Sequence, residues 1–177
     1  MGIISGNGLS QDDLVNFLEN VRDMANQLRT DRITQAFFSG GLTAGATATG
    51  QVRIANTGAY MIDGTAYLLS GATEVAFAAT TDDLAVSQQA YYLISLNTSG
   101  AAVITKGTAV AASSTATVPA LPASQCPVGH VLIATSANTI FNAVTDELDA
   151  TSTWLTITFT NRPLMLGSLP AALTLSL

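Results

Sequence analysis

Two hydrophobic periods divide the chain. Leu14, Phe17, Leu18, Val21, Met24, Ala25 and Leu28 recur at spacings of three and four, which predicts a helix with one broad apolar stripe. Ser10 suits its N-cap, Asp12 and Asp13 its first turn, and Arg29 and Arg32 its last. A helix of this length, about 33 Å, is marginal alone in water. The stripe must therefore dock, either on its own domain or on copies of itself, and its width suits a three-helix bundle better than a two-stranded seam.

From Gln51 the period changes to two. Tyr60 and Ile62, then Asp63-Gly64, then Thr65, Tyr67 and Leu69 predict a hairpin around a type I′ turn. Further predicted strands are 73–78, 90–96, 101–105, 130–135, 139–143 and 153–160. Their turns are Asn97-Thr98-Ser99-Gly100, Lys106-Gly107 and Ser136-Ala137-Asn138. Short strands joined by turns, without helical periods between them, predict a mainly β fold, an antiparallel β-barrel or sandwich carrying an N-terminal α-helical arm. The chain thus divides into a helical arm (1–38), a Gly-rich linker (39–50), an antiparallel β domain (51–162) and an apolar C-terminal tail (163–177). The stretch 109–124, uncharged and ending in spaced prolines, reads as an extended loop.

Composition changes what the surface is expected to do. Apolar residues make up 48% of the chain and charged residues 10%, where soluble proteins carry about a quarter charged. Eight of the eighteen charges lie between residues 11 and 32, so the β domain has little charge to clothe it and much of its surface is expected to face other protein. In TWLTITFT, Thr153, Thr156, Thr158 and Thr160 supply a neutral outer face. With net charge −6 and six scattered basic residues, nucleic acid is not the expected partner. The first residues lack the pattern of a secretory leader, and the apolar tail from Leu164 is too short to span a bilayer. No membrane is expected.

The only cysteine and histidine, Cys126 and His130, stand four apart in ASQCPVGHVLIAT. Two ligands do not make a metal site, and Pro127 and Gly129 deny the segment a helical turn. A Cys/His nucleophile would need an orienting third group, and nothing supplies one. In the reading adopted, Val128 and Gly129 turn the chain, His130 opens a strand, and Cys126 is a small core residue. Asp82-Asp83 and Asp146, Glu147 and Asp149 read as solvated loops, with calcium at Asp146 and Asp149 the alternative weighed. Tyr91 and Tyr92 alternate, so only one faces outward. No nucleophile elbow, Walker loop or Rossmann fingerprint occurs. The expectation is a protein without catalysis and without a cofactor.

The run YMIDGTAYLL, then YYLISLNTSGAAVITKG, then PALPASQCPVGHVLIAT and a strand after an acidic loop resembles small virion proteins of tailed bacteriophages, of the capsid decoration (cement) and head-fibre type. The similarity spans about residues 52 to 160, and its order carries it: an Asp-Gly hairpin, a Tyr-rich strand with a Thr-Ser-Gly turn, a Lys-Gly step and a Pro-x-Leu-Pro loop closing on Pro-x-Gly. The resemblance implies a β-rich domain that trimerises on the exterior of a capsid without catalysis. Where that pattern carries a small or polar residue and an aromatic one, this chain has Cys126 and His130, which fits a structural role for both and leaves open an inter-subunit contact.

The expected function is a structural virion protein that decorates and stabilises a phage capsid, a homotrimer bridging neighbouring capsomers and bound to the major capsid protein. Expected contacts are Leu14, Phe17, Leu18, Val21 and Leu28 on the helix, and Leu173, Leu175 and Leu177 in the tail, which alternate with Thr174 and Ser176 as a strand added to a neighbour's sheet would. The rival reading is a head-fibre or tail-associated module that binds a host glycan in an aromatic groove.

Overall fold

The computed structural model describes residues 15, 18–22, 34–45, 50–148 and 155–161. Helix is seen only at Val15 and over 18–22. The other regular elements among the described residues are β-strands, with every strand pair antiparallel. β1 (Gln35–Ala36), β4 (Gly58–Ile62) and β5 (Thr65–Leu69) form one small sheet in the order β1-β4-β5. A second is formed by β2 (Leu42–Ala44), β3 (Gln51–Ile54) and β6 (Thr73–Ala76), in the order β2-β3-β6. The central sheet runs β11 (Leu155–Asn161), β10 (Gln125–Thr135), β7 (Gln88–Asn97) and β8 (Ala102–Lys106), with β9 (Val110–Ala111) also on β7. Among the described residues the strands do not close into a barrel.

One apolar core joins the three sheets. Alternation along β7 sends Ala90, Tyr92, Ile94 and Leu96 inward, and β10 adds Cys126, Val128, Val131 and Ile133, all without exposed surface. Burial of each large aliphatic side chain contributes about 1.5–3 kcal/mol. The small sheets bring Leu42, Val52 and Ile54, and Tyr60, Ile62 and Leu69, to the same core. Tyr60 stacks on Tyr67 at 5.4 Å and donates its hydroxyl to the Asn97 carbonyl at 3.0 Å.

The hairpin β4–β5 turns at Asp63 and Gly64, which have φ of 49° and 80°. Positive φ at both central residues is what a type I′ turn needs, and it matches the twist of the flanking strands. At the β7–β8 turn, the Asn97 side-chain oxygen accepts from the Ser99 and Ala101 backbone amides.

Three expectations are corrected. The linker 39–50 contains β2, which pairs with β3 through Leu42–Ile54 and Ala44–Val52, and β1 at the end of the expected arm pairs with β4. Both are short strands held by distant partners. No strand forms over 139–143; Phe141 makes an isolated bridge to Leu84. Nor is there a turn at Val128-Gly129, since β10 runs through it.

The bridge belongs to a loop used twice. FAATTDDL (77–84) and FNAVTDEL (141–148) share Phe, Ala, Thr, Asp, an acidic residue and Leu at corresponding positions. In the first, the Asp82 carboxylate accepts from the Ala78 amide at 2.7 Å while the Asp82 amide donates back to the Ala78 carbonyl. In the second, Asp146 and Asn142 exchange the same bonds. Phe77 and Phe141 pack edge to face at 5.6 Å, and Leu84 and Phe141 exchange two backbone hydrogen bonds. Gly50 completes the assembly: its amide donates to the Asp146 carbonyl, and its carbonyl accepts from the Phe77 amide.

Gly50 has φ +63°, and a Cβ there would lie 2.0 Å from the Ala143 carbonyl oxygen. Gly50→Ala combines left-handed strain with a backbone clash. We expect it to cost about 2 kcal/mol or more of unfolding free energy, measured by denaturant titration. Gly71→Ala, where a Cβ meets nothing within 4 Å, is the near-neutral reference.

Candidate functional site

Cys126 and His130 lie on opposite faces of the central sheet. Gln125, Cys126 and Pro127 pair with Asn97, Leu96 and Ser95, but Gly129, not Val128, pairs with Ile94. Val128 is thus the extra residue of a β-bulge, which shifts the alternation by one. Proline cannot donate to a ladder, and a bulge beside Pro127 accommodates it. Without the inserted residue, positions four apart on a strand share a face. With it, Cys126 enters the core with no exposed surface, and His130 emerges on the outside, its ring edge to face with Tyr91 at 5.0 Å. A thiol and an imidazole so separated cannot act as nucleophile and base, nor bind one ion.

Around His130 the outer face of the central sheet forms a groove of about 380 Å³. It is lined by Leu93, Pro127, Gly129, His130, Thr160 and Asn161, together with Val118, Pro119 and Leu121 of the long loop before β10. That loop crosses the sheet, the Gln89 side-chain amide donating to the Ser114 carbonyl, and Thr117 and Pro119 lying against Gly107. β11 lies close over Gly129, where a Cβ would be 2.4 Å from the Thr160 carbonyl oxygen. Among the described residues, His130 is the only ionisable side chain lining the groove. Burial pushes its imidazole below the ordinary value of 6.5, so it is neutral at pH 7. The groove suits an uncharged, largely apolar occupant.

The aromatic pair resolves as alternation requires. Tyr92 is fully buried and Tyr91 half-buried on the outer face. Tyr92 donates its hydroxyl to the Asp82 carbonyl, and burial, reinforced by Asp82 and Asp83, pushes its pKa far up. The acidic loops are not simply solvated. Asp82 is buried, and Asp83 accepts from the Ala143 amide at 2.8 Å. Lys106 donates to the Thr81 and Asp83 carbonyls. Among the described residues no three His, Cys, Asp or Glu side chains gather as a metal site requires; Asp149 lies outside them.

Of the expected contact residues, Leu18 and Val21 are exposed, by 57% and 39%, and neither joins the core. Leu14, Phe17, Leu28, Leu173, Leu175 and Leu177 lie outside the described residues. On the outer faces of the sheets, the sequence reading anticipated the threonines of β11 and missed the other two rows. On β2-β3-β6 the outer row is Thr43, Arg53 and Glu74. On β11 it is Thr156, Thr158 and Thr160, all exposed. On β4 and β5, Ala59, Met61, Ala66 and Leu68 point outward, and Leu68 is 70% exposed. The signal was present in AYMIDGTAYLL, where apolar residues occupy both alternating sets and leave no polar face. Compared with family models, curated proteins and solved structures, the chain matches none of them.

Because the folded pKa of His130 is lowered, the unfolded chain binds the proton more readily between that value and 6.5. The stabilisation is complete above pH 6.5 and lost as pH falls through the folded pKa. An NMR titration is expected to place His130 below 6.5. In paired denaturation curves at pH 7.5 and pH 5, His130→Gln is expected to lose less stability on acidification than the unsubstituted protein.

Proposed function

We propose that this chain is a non-enzymatic structural protein of a tailed-phage virion, a β-sandwich domain with a helical arm that decorates the capsid exterior. It acts as a homotrimer, binds the major capsid protein and bridges neighbouring capsomers. The observation that carries the self-associating part of this reading is the uncharged apolar surface left open on the single chain. That surface includes Leu18 at 57% and Leu68 at 70% exposure, in a protein with 10% charged residues. Exposed apolar surface of this kind marks protein contacts. The resemblance of residues 52 to 160 to decoration and head-fibre proteins supplies the virion context. The candidate groove fits the same role, since it is apolar, offers no charged group to a ligand, and is bordered by Asn161, where the chain leaves β11 for the tail.

In this reading many modest apolar contacts act in parallel across the shell, and no side chain is catalytic. Sedimentation of the purified protein is expected to give a trimer. Electron microscopy of particles is expected to place it on the capsid exterior in hundreds of copies; a handful of copies at the tail, or a monomer at high concentration, would overturn the reading. Leu18→Asp is expected to weaken self-association because it would bury a charge in the contact. Deleting residues 164–177 is expected to reduce assembly or shell binding, read as trimer fraction and capsid occupancy.

A further inference from the structure

The outer face of the β1-β4-β5 sheet has the composition of an interior, and we infer that it receives the N-terminal helix of a second copy of this chain. The inference rests on the proposed self-association and names the surfaces that carry it. Antiparallel register sets Ala59 beside Leu68, and Met61 beside Gln35 and Ala66. One residue beyond β1, the Phe37 amide donates to the Ala59 carbonyl at 2.9 Å, which extends the first row to Phe37, Ala59 and Leu68. Phe37 is 41% exposed and Leu68 70%. An antiparallel sheet with one face in a core ordinarily turns a polar face to water, as β11 does with its threonines. Here Gln35 is the only polar side chain among the six.

The helix has the complementary deficiency. Leu18 and Val21 are exposed by 57% and 39%, and the sequence continues their stripe from Leu14 to Leu28. The helix predicted for this stripe would rise about 21 Å from Leu14 to Leu28, and a five-residue strand spans about 17 Å, so stripe and sheet agree in length. In the single chain Leu18 and Leu68 both stay open, and the helix of one copy therefore does not lie over its own sheet there. A helix donated by a second copy covers both surfaces at once. Such a contact is heterologous, helix of one copy on sheet of the next, and it closes into a ring when the rotation between copies allows. Three copies make the proposed trimer.

The test mixes two full-length variants, Leu18→Cys and Leu68→Cys, and joins them with a short bismaleimide. The native Cys126 has no exposed surface and does not react. The expected product is a covalent heterodimer whose linked peptides map to positions 18 and 68. Leu68→Asp, at a site open to water in the single chain, is expected to keep the native fold, read as an unchanged far-UV circular dichroism spectrum, while the oligomer falls to monomer. Three results would overturn the inference. These are cross-linking of Leu18→Cys with itself as readily as with Leu68→Cys, a link confined to one chain in the double variant, or an oligomer untouched by Leu68→Asp. In the last case the unsubstituted protein still sediments as an oligomer, so this interface falls while the decoration reading stands. A monomeric unsubstituted protein removes both.

Discussion

The inner faces of β7 and β10 set eight side chains without exposed surface against the two smaller sheets, and the remaining structure is arranged around that pairing. Its register determines which residues reach the core and which reach the outside, since a slip of one position inverts every side chain of a strand. The extra residue at Val128 makes one such slip on purpose, midway along β10. Before it, even-numbered Cys126 is core; after it, odd-numbered Val131 and Ile133 are. The groove, the place of His130 on the outer face and the seclusion of the thiol all follow from that single insertion.

The duplicated loop holds the end of the molecule where strands give out. Each copy closes on a carboxylate that accepts the amide four residues back, so the polar backbone of a sharp turn is satisfied without water. The two phenylalanines then meet each other and Tyr92 in the core. Gly50 stands between the second copy and Phe77, which ties the strands near the N-terminus to this clip.

Local signals were legible in the sequence, and relational ones were not. The Asp63-Gly64 hairpin follows from two residues that tolerate positive φ, and the alternation in β7 and β11 follows from its own period. β1 and β2 escaped because strands of two and three residues acquire their identity from partners far along the chain. Residues 139–143 have the alternation of a strand, but Phe141 is held by the clip and pairs only with Leu84. The bulge could not be read from ASQCPVGHVLIAT, because the register of β10 exists only relative to β7. The loop repeat and the two-sided apolar hairpin were visible in principle, the first by comparing the chain with itself, the second by asking what each outward residue would meet.

The nearly charge-free exterior has a thermodynamic consequence. Contacts between ionic surfaces fade as salt rises, because mobile ions screen them within a Debye length of about 8 Å at physiological strength. Leu68, Ala59 and Phe37 offer nothing to screen. In the proposed assembly, cohesion through them would escape that screening, gain from salts such as sulfate, and slacken as water is cooled, since the apolar driving force itself weakens toward low temperature. Brine would leave the proposed assembly intact, and chilling would loosen it.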